Sequence, residues 1–211
     1  IYIADGHHRS ASSFLLSKEE KSTNPNHNGT ESYNFFMSYL IPESDLVIHE
    51  FNRLIKDLNG LTKEEFLIKL DTSFRIQNRG DIPYTPSKPH HFSMYLDGDF
   101  YSLYLRKDNY EINTSLDDLD AQILYKTILK PILGIKDLRN ENRINYVQTH
   151  GKEEVVNIKA SVDSGDYKVG FGMRPATINQ MKQIANDGLK MPPKSTYILP
   201  KLRSGITIYE F

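Results

Sequence analysis

The residues best suited to chemistry open the chain, in Ala4-Asp5-Gly6-His7-His8-Arg9. The N–H groups at a helix N-terminus are unpaired and sit at the positive end of the macrodipole, so a glycine there lets a phosphate approach closely. Arg9 adds a forked donor matched to phosphate oxygens, and His7 and His8 add donors or acceptors according to protonation. Asp5 is the one carboxylate in the run. A second reading is a plain strand-to-helix turn in which Asp5 is the cap, Gly6 supplies positive φ and both histidines lie on the surface. Metal binding is a third, weakened because adjacent histidines diverge by about 100° on a helix or about 180° on a strand.

A second set of candidates lies near the other end. Pro192-Pro193 stiffens the backbone before Lys194, and Lys194, Ser195 and Thr196 offer one cation and two hydroxyls, a grip for phosphate oxygens. No glycine precedes them as in a P-loop, so this is not a Walker A element. Lys201 and Arg203 follow, and residues 173–211 hold six Lys and Arg against two Asp and Glu, a basic end that suits an anionic ligand. The plainer reading is a proline-bounded loop with solvated lysines. Other signals read as structural. His90-His91 reads as a surface pair with no acid at ligand spacing, and Asp117, Asp118 and Asp120 as first-turn carboxylates that favour a helix dipole or could meet Mg²⁺. His49 and Arg53 share a ligand only if their segment is helical.

Elements must hold these residues in place. Ile1 to Ile3 reads as a strand ending at Asp5-Gly6, and Arg9 to Lys18 as a helix. Residues 19–34 are too polar to order by burial and read as a mobile loop, whereas Phe35 to Ile41 reads as a buried strand. Asp45 to Phe51 alternates weakly. Thr62-Lys63-Glu64-Glu65 has the capping-box pattern and opens a helix carrying Phe66, Leu67 and Leu70. Pro83, Pro86 and Pro89 make an extended connector over 81–91. Asp97-Gly98 suits a type I′ turn between the apolar runs of a hairpin. An amphipathic helix is expected from Ser115 to about Pro131, then a strand at 144–147, a helix at 152–161, a strand at 167–172, and a helix at 176–187 closed by Gly188. Strands alternating with helices predict an α/β chain, or α+β, with a mixed sheet and flanking helices. The expected division is 1–80, the connector 81–91, and 92–211.

Composition narrows the partners. The 211 residues carry 26 Lys and Arg against 27 Asp and Glu, which leaves no global positive field to favour nucleic acid. The absence of cysteine removes disulfides, thiolate metal sites and a Cys nucleophile. No apolar run approaches the roughly 20 residues of a membrane span, so a cytoplasmic protein is expected. The chain opens mid-strand without Met, which reads as the C-terminal part of a longer protein whose N-terminal half is missing here.

Ile3-Ala4-Asp5-Gly6-His7-His8-Arg9-Ser10 resembles the hallmark of an uncharacterised bacterial family of unknown function, often labelled SpoOJ/ParA/ParB/RepB-like. Met191-Pro192-Pro193-Lys194-Ser195-Thr196 and the residues on to Gly205 resemble that family's second hallmark. The Gly-His-His-Arg turn is in turn similar to the phosphate-binding element of the ParB/sulfiredoxin superfamily, which includes partition proteins, sulfiredoxins and free-serine kinases. Sulfiredoxin chemistry needs a Cys in this turn, and none is present. The serine kinases keep an Asp-Gly-His-His-Arg turn, so the resemblance implies nucleotide-dependent phosphotransfer to a small hydroxyl compound, with ATP or ADP and Mg²⁺ as cofactors. It implies that Gly6, His7, His8, Arg9, Lys194, Ser195, Thr196, Lys201 and Arg203 converge on one phosphate-bearing ligand, with Asp5 as base or Mg²⁺ ligand. The alternative is a ParB-like regulator that binds nucleotide and DNA without small-molecule turnover.

Overall fold

A computed structural model describes residues 1–148, 154–201, 205 and 209. The chain divides into two units, one formed by Ile1–Val47 with Ile198–Phe211 and the other by Ile48–Tyr197. Short strands β1 (Val47–His49) and β8 (Tyr197–Leu199) lie where the chain passes from one unit to the other.

The larger unit is built on six antiparallel strands in the order β3-β5-β4-β7-β2-β6: β2 (Phe51–Ile55), β3 (Phe74–Gly80), β4 (His91–Leu96), β5 (Asp99–Leu105), β6 (Ile144–Gln148) and β7 (Val169–Met173). With helices on both faces this is the α+β form of the expected fold. Side chains alternate across the sheet. Ile55, Phe92, Met94, Leu96, Val169 and Phe171 face the main core with Phe66 and Leu70 of α2 (Lys63–Asp71), Ala121 to Leu124 of α3 (Asp120–Leu124) and Ile184 of α5 (Ile178–Asn186). Leu54, Tyr95 and Phe100 face Ile158 and Val162 of α4 (Glu154–Asp163). Burial on both faces leaves the inner strands β4, β5 and β7 mostly buried, while the edge strands β3 and β6 stay partly exposed.

Local chemistry sets several boundaries where expected. Thr62 and Glu65 form the capping box of α2, and Thr177 and Gln180 form another at α5, which Gly188 follows at φ 68°. Asp97 and Gly98 turn the β4–β5 hairpin with φ 48° and 87°. The helix expected from Ser115 begins only at Asp120, because Asp117 Oδ2 accepts the Thr114 N–H and hydroxyl and closes a separate turn. After Leu124 it widens into one π turn, Tyr125–Leu129. Strands on both sides of the proline-rich segment, β3 and β5, pair in one sheet.

The smaller unit departs further from expectation. Residues 1–4 form no strand, and Phe35 to Ile41 is neither strand nor buried; Phe35, Phe36, Met37, Tyr39 and Leu40 are all exposed. A strand exists by its ladder, and among the described residues none pairs with either run. The segment read as a mobile loop instead continues α1 (His7–Thr23) and then folds into hydrogen-bonded turns. Tyr33 Oη meets Asn24 Nδ2 and His27 Nδ1, and Glu31 accepts the Asn28 and Gly29 amides. None of residues 1–47 is buried. Among the described residues, no helix is long and apolar enough to cross a membrane.

Candidate functional site

The first candidate group is the start of α1. Gly6 occupies the N-cap position at φ 82° and ψ 23°, left-handed backbone that glycine adopts without steric cost. The first intrahelical bond runs from the Ser10 N–H to the Gly6 carbonyl, at 2.9 Å. The amides before Ser10 therefore lack helical partners, and no side chain caps them. Asp5 is not the cap: its carboxylate lies 3.6 Å from the Arg9 guanidinium, with both side chains well exposed. That guanidinium folds over Gly6, where an added Cβ would lie 3.2 Å from Nη2. His7 and His8 are exposed beside it. The turn thus presents open amides and one guanidinium with a carboxylate beside it, and both imidazoles are exposed.

The second group lies in the larger unit. Lys194 takes φ 55°, its Nζ sits 5.4 Å from the Phe51 ring centre, and its carbonyl accepts from Arg53 Nη2 at 3.1 Å. Thr196 is half-buried. Ser195 is buried and its hydroxyl donates to the Pro192 carbonyl at 2.7 Å, so that hydroxyl closes the turn. Lys201 is exposed, and Arg203 lies outside the described residues. The structure therefore gathers Asp5, Gly6, His7, His8 and Arg9 in one unit, and Lys194, Ser195 and Thr196 in the other.

A cluster the sequence reading did not bring together, although it named Arg53 and Asp120 separately, lies at the end of the sheet where β2 and β4 begin and β7 ends. Arg53 is only 3% exposed and pairs with Glu50, which is 5% exposed; Nη1 reaches Oε1 at 2.5 Å and also donates to the Phe51 carbonyl. The Tyr146 ring lies 5.7 Å from that guanidinium. Burial pushes the Glu50 carboxyl up to about 7, against the opposing pull of Arg53 and the Phe51 amide, and the nearby Asp120 pushes the same way. Asp120 is itself raised by burial to about 6, opposed chiefly by the bond from the His90 amide. Two acids that change charge near neutrality thus sense each other inside one sheet end.

These positions correct several expectations. His49 and Arg53 are in successive strands rather than on one helix face, and the His49 ring lies 6.3 Å from that of Tyr197. His90 is not a surface residue without acids: Nε2 meets Asp118 at 2.9 Å and its amide donates to Asp120 at 2.8 Å. The available signal was a Glu and an Arg inside the apolar run from Val47 to Ile55, where polar residues survive only if partnered.

An antiparallel sheet covered by helices on both faces, joined to a unit opening on an uncapped Gly-His-His-Arg helix start, places the chain among α+β proteins. Residues 1–122 match the family described as "Protein of unknown function (DUF1015)", and the chain belongs to that family. Among solved structures it is similar to a free serine kinase in complex with AMP, at 14% identity and TM-score 0.41, over 93% of this chain and 66% of that one. A mutant of a free serine kinase in complex with ADP matches at 13% identity and TM-score 0.40, over 93% and 66%. A conserved hypothetical protein from Pyrococcus furiosus matches at 12% identity and TM-score 0.40, over 93% and 69%. The chain thus spans about two thirds of the length of these structures. No curated protein matches it in sequence.

Proposed function

We propose that the protein binds the phosphates of a nucleotide, ATP or ADP, at the start of α1 and transfers a phosphoryl group to a small hydroxyl compound, with free serine as the first candidate. The observation that carries this reading is Gly6 in left-handed conformation before a 17-residue helix whose first amides no side chain caps, with the Arg9 guanidinium folded against Gly6. Such amides accept an anion without rearrangement, and an exposed guanidinium adds charge-assisted bonds. The likeness of the Asp-Gly-His-His-Arg turn to that of serine kinases supplies the reaction class.

In this reading Gly6, His7, His8 and Arg9 hold phosphate oxygens. In the larger unit, the Ser195 hydroxyl closes the turn that carries Lys194 and Thr196, a separate basic loop suited to an anion. Asp5 is the candidate base, and its contact with Arg9 places a carboxylate beside the phosphate donors. Mg²⁺ would enter with the nucleotide phosphates and neutralise charge on them. Among the described residues no three His, Cys, Asp or Glu side chains gather as a metal site, so no step is assigned to a protein-held ion. No observation favours the DNA-binding alternative.

The test incubates the full-length protein with Mg²⁺, L-serine and either ATP or ADP and measures phosphoserine by mass spectrometry. Arg9→Ala should lower turnover at least about tenfold by removing charge stabilisation from the transferred group. Each nucleotide should also raise the melting temperature of the parent protein by mass action. Absence of phosphoserine with both nucleotides, together with no thermal shift, overturns the proposal.

A further inference from the structure

Outside the phosphate turn, the larger unit holds a cleft of about 240 Å³ lined by Pro89, Asp120, Arg174, Pro175, Thr177 and Gln180. Its volume exceeds what one water needs and falls below the span of roughly 300–1,000 Å³ usual for drug-sized ligands, so its occupant has few heavy atoms. The walls carry opposite charges. Asp120, at the first position of α3, is 8% exposed; Oδ1 accepts the His90 amide, and among the described residues no donor reaches Oδ2. Arg174 follows β7 and lowers the Asp120 pKa through space, yet among the described residues the two form no ion pair and the guanidinium donates no hydrogen bond. Asp120 Oδ2 and the partly buried Arg174 guanidinium thus both line one cleft with bonding capacity that only water or a ligand can use.

The rest of the cleft is rigid. Pro89 and Pro175 have fixed φ and no N–H to offer. Thr177 and Gln180 are locked together by the capping box, Thr177 Oγ1 accepting the Gln180 amide at 3.2 Å and Gln180 Oε1 accepting the Thr177 amide at 3.0 Å. Gln180 Nε2 points toward Asp118 Oδ2, at 3.4 Å. A ligand with only an anionic end would leave Asp120 unmatched, and one with only a cationic end would leave Arg174 unmatched.

We infer that this cleft binds a small zwitterion of the α-amino acid class, its ammonium held by Asp120 and its carboxylate by Arg174. Burial that disfavours a bare carboxylate also strengthens its attraction for an ammonium brought into the same cleft. The inference uses residues separate from the phosphate turn, and it is measured without nucleotide, so its failure would leave the phosphate reading standing.

The experiment screens the full chain against the proteinogenic α-amino acids, each alone, by ligand-observed NMR and then calorimetry. At least one should bind with a dissociation constant below about 10 mM, and the amine or α-hydroxy acid lacking one of its charged groups should bind at least about tenfold more weakly. Arg174→Ala, at a half-exposed position, should lose that affinity for the amino acid while leaving the affinity for the amine unchanged, and Arg174→Lys should recover part of it. Asp120→Asn should do the reverse, provided its far-UV circular dichroism matches the parent. The inference is overturned if no amino acid binds, if the amine binds as tightly as the amino acid, or if Arg174→Ala binds the amino acid as the parent does.

Discussion

Replacing Glu50 with glutamine tests whether the buried acid at the start of β2 holds its proton near neutrality. Its carboxyl accepts the Phe51 amide at 2.8 Å and Arg53 Nη1 at 2.5 Å, and burial raises its pKa from 4.5 to about 7 in spite of both. Between those values the folded state keeps a proton that the unfolded chain has released, so it binds more protons and stability falls as pH rises. At about 1.4 kcal/mol for each tenfold change in proton affinity, the whole window is worth roughly 3 kcal/mol. Glutamine keeps the size and one acceptor oxygen but cannot ionise. The parent should therefore lose roughly 3 kcal/mol relative to Glu50→Gln between pH 5 and pH 8, with most of the change before about pH 7. Asp120 titrates in both proteins, so its contribution largely cancels in the difference. Urea unfolding followed by far-UV circular dichroism at several pH values gives both curves. Parallel curves would refute the reasoning. So would a parent that gains relative stability with rising pH, since Glu50 would then be a depressed, ion-paired carboxylate.

Two glycine substitutions probe the other arguments. Gly6→Ala forces a side chain into φ 82° with its Cβ 3.2 Å from the Arg9 guanidinium; it should cost about 1 kcal/mol and weaken inorganic phosphate binding, and unchanged phosphate affinity by calorimetry would count against the turn as the anion site. Gly170→Ala places a Cβ 2.4 Å from Ile158 Cγ2 and 3.0 Å from Leu54 Cδ2 where α4 packs on the sheet, and should destabilise by about 1–3 kcal/mol in urea titration. Combining it with Ile158→Ala should cost less than the two single changes added together, because the same space is being contested; strict additivity would place the clash elsewhere.

Elements whose cause is local were the legible ones. The capping box at Thr62, the Asp97-Gly98 turn and the Gly188 terminus each depend on a few neighbouring residues, and each lies where the residues alone put it. The failures share a different cause. Ile1 to Ile3 and Phe35 to Ile41 have strand composition, but a strand needs a partner from elsewhere in the chain, and composition does not reveal whether one arrives. Ser115 likewise reads as a helix start until Asp117 closes a competing turn with Thr114.

The site divides along the same line. At the α1 start the relevant groups are consecutive, so glycine, histidines and arginine could be read together from the sequence; the alternative reading of Asp5 as the helix cap is the part the structure changes, since its carboxylate lies beside Arg9. The Glu50–Arg53 pair, Asp120 and Arg174 are separated by long stretches of chain and come to one end of the sheet only because β2 and β7 are neighbours and α3 packs on the same core. Their proton affinities follow from burial, a property of the folded sheet rather than of residue type. Arg53 shows why such a residue is misread from spacing alone. A buried guanidinium is tolerated only if the fold supplies acceptors, and here they come from Glu50, the Phe51 carbonyl and the Lys194 carbonyl. The turn containing Lys194 is therefore tied through Arg53 to the buried acid.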